Sequence, residues 1–271
     1  MHSLGYDAIH DEIVVPQPFA QAILTFRGGA NGEEPPIRVI QGPKTQLANY
    51  FDQLVLDPVH NEIITMAGYP WADHIKIFSR EANGNVAPIR ELRGPEGTVL
   101  GFTPSKGPSR LISSVTVDPE HNLLIAAGSE GIMIFDRTAE GNAKPLRVIK
   151  GPKTGRAGGR LFVYPAKGEI IMIGGGGAPP ELPRGTAGSV STEMANNERA
   201  AYISVWNIED KGDVAPRRWR VGGPTQRMPN DPDPGDYGTI MGAGVDPKNK
   251  SLMISSKTYN AVFTYSFPEI F

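Results

Sequence analysis

The stretch FSREANGNVAPIRELRG at residues 78–94 decides the fold, because its spacing recurs along the chain. We call this spacing the outer motif: an aromatic residue, five residues, Gly, three residues, Pro, one residue, Arg, three residues and Gly. A fixed unit that repeats at this scale predicts a repeat architecture. Its four copies, none with an insertion, are Phe26, Gly32, Pro36, Arg38 and Gly42; Phe78, Gly84, Pro88, Arg90 and Gly94; Phe135, Gly141, Pro145, Arg147 and Gly151; and Trp206, Gly212, Pro216, Arg218 and Gly222.

The residues around this stretch predict four short strands. Residues 54–56, 62–66 and 74–78 are apolar or alternating runs, and residues 88–92 begin with the motif's proline. Pro, Asp and Asn between the first two runs favour a tight turn at residues 57–61. A proline at the start of the last run fits an outer strand, where a missing N–H costs little.

Similar first turns occur at residues 7–11, 118–122 and 246–250, with a degenerate copy at 165–168. Five inner hairpins and four outer motifs predict an all-β fold, a β-propeller with five four-stranded blades. A parallel β-helix is the rival architecture, but its coils are shorter than these units. We expect one propeller domain over residues 1–271, with blades at about 2–43, 51–95, 110–152, 160–223 and 238–271.

The last blade lacks its outer strand in this sequence. Tyr265 takes the motif's aromatic position, and the position of the motif's glycine is Phe271, where the sequence ends. An open sheet edge invites pairing with another segment. We therefore expect an upstream segment, a further blade of a six-bladed ring or a partner subunit to close the propeller.

Composition narrows the function classes. The 271 residues carry a formal net charge of −2, which gives no electrostatic case for nucleic acid. The absence of cysteine excludes disulfides and thiolate chemistry. No apolar run is long enough for a membrane span, so no membrane insertion is expected, and the first residues do not resemble a signal peptide.

The loops joining second and third strands, and those joining blades, share one propeller face and vary most in length. On that face, Tyr69, Trp71, Asp73 and His74 form the most distinctive loop. Exposed aromatic residues beside polar groups suit a protein or a glycan, so these four residues are the predicted binding site. The alternative is that Trp71 only covers the end of the propeller.

Asp231, Asp233 and Asp236 form an acidic loop with alternating carboxylates and a bend at Gly235. Calcium sites use Asp residues spaced in this way, so calcium is the one cofactor that the sequence suggests. Two prolines stiffen the loop and the bidentate Glu of an EF-hand is missing. A solvated turn is the alternative.

Two repeated sets of polar residues are interpreted as structural. Each histidine of one set falls at the same position of its hairpin turn, where its imidazole can satisfy turn backbone. The arginines of the outer motif are expected to pack on outer strands and to bond neighbouring carbonyl or carboxylate groups. The histidines are His10, His60 and His121, and the arginines are Arg38, Arg90, Arg147 and Arg218.

Through its Asp-Pro-x-His-Asn turns and its Ile-x-Ile-Phe and Val-Phe-Thr-Tyr strands, the chain resembles bacterial propellers of the NHL-like, six-bladed class. That resemblance implies an exported protein, periplasmic or extracellular, and a class that includes binding modules, lyases and metal-dependent lactonases. No nucleophile with its base is evident in the sequence. We therefore expect a non-catalytic module that binds a protein or glycan, or self-associates, through the loop-rich face or the open blade edge. The alternative is a metal-dependent hydrolase or lactonase with its site at the channel mouth.

Overall fold

The structure, a computed structural model, describes residues 3–47, 53–66, 74–93, 112–128, 131–155, 159–175, 201–221, 240–256 and 261–271. Over these residues it contains nineteen β-strands and two single-turn 3-10 segments, Pro43–Thr45 and Pro165–Lys167. The strands form five separate sheets, each an antiparallel blade in chain order. The all-β propeller fold and its five blades are confirmed.

The chain divides into two compact units, residues 1–148 and 149–271. The expectation of a single propeller domain stays a prediction. The first unit holds blades one to three, and the last strand of blade three ends at the boundary. Their strands are β1 (Gly5–Asp7), β2 (Glu12–Gln17), β3 (Ala22–Arg27), β4 (Arg38–Gln41); β5 (Leu54–Asp57), β6 (Glu62–Met66), β7 (Ile75–Ser79), β8 (Arg90–Leu92); and β9 (Ile112–Asp118), β10 (Leu123–Gly128), β11 (Gly131–Asp136), β12 (Arg147–Ile149).

The second unit holds blades four and five. Blade four has four strands, and blade five has three among the described residues, in the order β17-β18-β19. The expected lack of an outer strand in the last blade is therefore confirmed. The strands are β13 (Arg160–Tyr164), β14 (Glu169–Gly175), β15 (Ala201–Asn207), β16 (Arg217–Val221), β17 (Ile240–Asp246), β18 (Ser251–Ser256) and β19 (Ala261–Ser266).

The core of each unit lies between its blades. In the first unit, Ile75 and Leu92 of blade two pack in one cluster with Val115 and Phe135 of blade three. In the second unit, β14 and β15 share a cluster with β18 and the C-terminal residues Ile270 and Phe271. The middle strands are buried on both faces, as every residue of β6 shows. Burial on both sides favours apolar residues such as Ile63 and Ile64, and the buried polar residues of the strand, Glu62 and Thr65, are hydrogen-bonded.

The outer motif couples neighbouring blades through its first glycine. Gly84 forms a parallel bridge with Ile40, which lies in the outer strand of the preceding blade. Gly141 forms the same bridge with Leu92 in the outer strand of blade two. Gly84 has a φ of +81°, and a Cβ added to it would meet nothing within 4 Å. Glycine is therefore required for the left-handed backbone rather than for space.

The last glycine of the motif is required for space as well. A Cβ on Gly42 would lie 2.7 Å from the Asn85 side chain of the next blade. That side chain accepts the Lys44 N–H at 2.8 Å, and Asn83 accepts the Val39 N–H at 2.9 Å. The spacing of the motif is therefore explained by the contacts that its residues make between neighbouring blades.

Candidate functional site

The hairpin turns of blades one to three are each held by a buried aspartate. Asp57 accepts the backbone N–H of His60 at 3.1 Å through Oδ1, while its Oδ2 lies 2.8 Å from the His60 Nδ1. Asp7 with His10 and Asp118 with His121 repeat this geometry. The structural interpretation of the three histidines is confirmed, but the imidazole binds the turn's carboxylate rather than its backbone.

The same turn ends in a glutamate that joins two blades. Glu62 accepts two hydrogen bonds from Arg90 of its own outer strand, at 2.8 and 2.9 Å. It also accepts one from Arg137 of the next blade at 2.9 Å. Burial acts to raise the pKa of Glu62, but the hydrogen bonds and charges of the two arginines outweigh it and hold that pKa below its ordinary value.

Glu12 repeats the clamp in blade one. It accepts from Arg38 at 2.5 Å and from Arg80 of the next blade at 2.8 Å. Arg38 and Arg90 therefore act as predicted, each bonding a buried carboxylate. In blade four the motif's arginine is Arg218. In blade one, Arg38 pairs with Thr25 of the third strand. The equivalent pairing in blade four joins Arg217 to Val205.

Arg217 bonds Oε1 of Glu169, the equivalent of Glu62 in blade four. In blade four this place is therefore taken by Arg217, the first residue of β16, and the role expected of Arg218 stays a prediction. Phe267 of blade five stands where Arg80 and Arg137 stand in blades two and three. Glu169 Oε2 is accordingly buried without a hydrogen-bond partner among the described residues.

Blade five presents an unpaired edge. Among the described residues, β19 pairs only with β18. Val262 in β19 is 67% exposed, whereas the equivalent residue of each other blade is 0% exposed. In blades one and two, an aliphatic residue of the outer strand lies directly opposite that position. The buried equivalents are Ile23, Ile75, Ile132 and Ile203, and the opposite residues are Ile40 and Leu92.

A polar cluster on the loop-rich face of blade two was missed by sequence reasoning. Lys76 is 1% exposed, and its Nζ donates to Glu91 at 2.6 Å and to Gln46 at 3.2 Å. Glu91 also accepts from Arg93 at 2.8 Å. The one available signal was a lysine at a β7 position that is leucine, methionine or phenylalanine in three other blades.

The predicted binding loop is only partly described. Tyr69, Trp71 and Asp73 lie outside the described residues. His74 lies directly before β7 and is half-buried. Burial acts to raise the pKa of Glu91, but bonds from Lys76 and Arg93, together with the charges of Lys76 and His74, hold it below its ordinary value. The assignment of this loop as a binding site stays a prediction.

The predicted calcium loop, Asp231, Asp233 and Asp236, lies outside the described residues, so that site also stays a prediction. Within the described ranges, no group of three or more His, Asp or Glu side chains is placed to hold a metal ion. No helix of those ranges is both long and apolar enough to cross a membrane.

Comparison with solved structures agrees with the class that the blades define, the β-propellers. The chain is similar to the β-propeller domain of Cps50 (Swd1) from Myceliophteria thermophila, with a TM-score of 0.56 and 10% identity, over 99% of this chain and 67% of that one. It is also similar to Kuenenia stuttgartiensis hydrazine synthase, with a TM-score of 0.54 and 10% identity, over 93% of this chain and 54% of that one.

At such identities the likeness shows the fold alone. The chain spans about two thirds of the first protein and about half of the second. No family model and no curated protein matches the sequence.

Proposed function

We propose that the protein is a non-catalytic binding and assembly module that takes up an extended protein segment along the edge of β19. The observation that carries this proposal is the edge of β19, which pairs only with β18 among the described residues. Val262 in this strand is 67% exposed, whereas its equivalents Ile23 and Ile75 are buried against their own outer strand and the next blade. An apolar side chain on an unpaired strand edge favours the addition of a strand, because backbone bonds and side-chain burial are gained together.

The other blades indicate what the incoming segment resembles. Outer strands run antiparallel to their neighbours and place Ile40 or Leu92 opposite the position of Val262. In blade five, however, Ser251 occupies the position that Glu12 and Glu62 occupy in blades one and two. The incoming segment therefore needs an aliphatic residue opposite Val262, but blade five offers no carboxylate for an arginine.

An independent observation in the first unit supports strand uptake. Gly32 has a φ of +60°, close to the +56° to +81° of Gly84, Gly141 and Gly212. Each of those three glycines bridges to an outer strand, whereas no described strand bridges to Gly32. The first copy of the motif thus has the backbone conformation of the loops that bridge to an outer strand, but it bridges to none within the described residues.

The test uses fluorescence anisotropy and a labelled synthetic peptide with the sequence of residues 143–150, which includes the outer strand β12. The peptide carries the substitution Arg147→Ser, since blade five offers no carboxylate for an arginine. We expect saturable binding to the full chain, and binding that is about tenfold weaker for Val262→Lys, because a charge at an edge opposes strand addition. Val59→Lys is the matched control, since Val59 is also exposed but lies in a hairpin turn. Equal binding by Val262→Lys, or no binding by the unchanged chain, would refute the proposal.

Light scattering distinguishes self-association from a foreign partner. If a second copy supplies the strand, the unchanged protein is an oligomer and Val262→Lys is a monomer. If both are monomers, the segment comes from a different protein or from sequence outside these residues. The likeness to NHL-type propellers and an exported location remain part of this proposal, supported by the turn and strand sequences alone.

A further inference from the structure

Each blade interface of the first unit buries one aliphatic sheet face against another. Val14 and Ile23 of blade one are fully buried in one cluster with Leu54, Ile63 and Phe78 of blade two. We call the face of a blade that carries the equivalents of Val14 and Ile23 its trailing face, and the face that carries the equivalent of Leu54 its leading face. The equivalent residues of the next interface, between blades two and three, are Ile64 and Ile75, and Val115, Leu124 and Phe135.

The leading face of blade one is exposed in the single chain. Leu4, directly before β1, is 60% exposed, and Tyr6 within β1 is 56% exposed. Their equivalents in blade three, Val115 and Val117, are buried in the cluster that blade three shares with blade two. The equivalent of Leu4 in blade two, Leu54, is buried against blade one. Blade one therefore presents one half of a blade interface to water.

The trailing face of blade five presents the other half. Met253 in β18 and Val262 in β19 occupy the positions of Val14 and Ile23, because the two blades pair their second and third strands in the same register. Met253 is 39% exposed and Val262 is 67% exposed, although both blade-one equivalents are fully buried. Large exposed apolar residues grouped on one face are typical of an interaction surface.

The polar residues at the edge of a blade interface are matched in the same way. Arg80 of blade two donates to Glu12 of blade one at 2.8 Å. Gly28 takes the place of Arg80 in blade one, because each donates its backbone N–H to the carbonyl of the residue directly before the second strand. Ser251 takes the place of Glu12 in blade five. A trailing face without the glutamate thus suits a leading face without the arginine, since either charge alone would be buried without its partner.

We propose that the trailing face of blade five docks on the leading face of blade one in a second copy of this chain, so that copies associate head to tail. A second copy fits because every chain carries both halves of the interface and exposes both. The contact joins two sheet faces and makes no use of the backbone edge of β19, so it goes beyond the uptake of a strand. The two halves differ, and association can therefore continue from copy to copy.

The test is sedimentation velocity of the full chain and of two variants, alone and mixed, at about 100 μM, where an interface of micromolar affinity is occupied. Leu4→Lys places a charge on the leading face, and Met253→Lys places one on the trailing face. We expect the unchanged protein to form oligomers and each variant alone to be a monomer. An equal mixture of the two variants should form a one-to-one dimer, because one intact pair of faces remains between them.

Ile9→Lys is the matched control. Ile9 lies in the hairpin turn of blade one and is 64% exposed, and its equivalent Val59 is 59% exposed although the leading face of blade two is covered. This variant should therefore form oligomers as the unchanged chain does. Leu4, Met253 and Ile9 are all exposed, so the three variants should melt like the unchanged protein.

Three results would overturn the proposal: an unchanged protein that is a monomer, a mixture of the variants that forms no dimer, or Leu4→Lys that remains an oligomer. The last result is the one expected if a second copy contributed only a strand to β19. Leu4→Lys leaves β19 unchanged, so it should bind the β12 peptide as the full chain does. Head-to-tail docking and strand uptake can therefore each fail while the other holds.

Discussion

Replacing Glu62, the glutamate shared by blades two and three, tests whether its ion pairs hold these two blades together. Glu62 is 6% exposed and accepts three hydrogen bonds from two arginines. Glu62→Gln keeps the shape but removes the charge and one acceptor oxygen. Arg90 and Arg137 then lose their shared carboxylate while remaining largely buried.

Removing one partner of a buried ion pair typically costs about 3–5 kcal/mol. The glutamine oxygen can still accept one bond, so we expect a loss of about 3 kcal/mol at pH 7. For a chain of this size, that corresponds to a fall in melting temperature of about 6–12 °C. Calorimetry and urea unfolding measure both quantities.

The effect should depend on pH in a stated direction. The folded pKa of Glu62 is below its ordinary value of 4.5. Its contribution to stability is therefore complete well above pH 4.5 and is lost as the pH falls through the folded pKa. The stability difference between the unchanged protein and Glu62→Gln should be largest near pH 7 and shrink towards pH 3.

Glu34→Gln is the matched control, because Glu34 also pairs with one arginine, Arg27, but on the surface. Water screens such pairs, so its melting temperature should change little. A Glu62→Gln variant no less stable than Glu34→Gln would refute the reasoning. A deficit that is the same at pH 3 and pH 7 would show that packing rather than charge is involved.

Two further substitutions probe the motif and the buried lysine. Gly84→Ala should destabilise the protein by about 1–2 kcal/mol, because Gly84 has a left-handed backbone conformation. Gly42→Ala should destabilise it by more, because the added Cβ would also collide with Asn85. Urea unfolding that ranks the two variants in the opposite order would contradict this account. Lys76→Met should destabilise by about 2 kcal/mol by leaving Glu91 without its buried partner, and Lys76→Met with Glu91→Leu should recover at least half of that loss. A double variant less stable than Lys76→Met would contradict this account, because it would show that Glu91 remains favourable without Lys76.

The repeat made most of the fold predictable. Strand β6 was predicted at residues 62–66, as observed, because its apolar run is bounded by turn residues. The outer strand of blade two begins at Arg90 rather than at Pro88, since proline has no N–H to give to the sheet. In blade four, Arg217, one residue before the motif's arginine, bonds Glu169, because strand pairing places Arg217 opposite Val205.

The candidate sites were less predictable, for a physical reason. A sequence shows that Lys76 interrupts an apolar pattern, but not that Gln46 and Glu91 come from other segments to meet it. The residues of such a site come from distant segments at no fixed spacing along the chain, so no sequence pattern predicts that they meet.

The sequence by itself determined the blades, their turns and the missing fourth strand of blade five. Turn-forming residues and the two-residue alternation of strands are local features of the sequence, and the outer motif repeats them in four copies. The tertiary structure alone decided which carboxylates Arg38, Arg90 and Arg217 bond, and that the Val262 side chain is exposed to water. Those outcomes depend on neighbours that are distant along the chain and adjacent only after the blades pack.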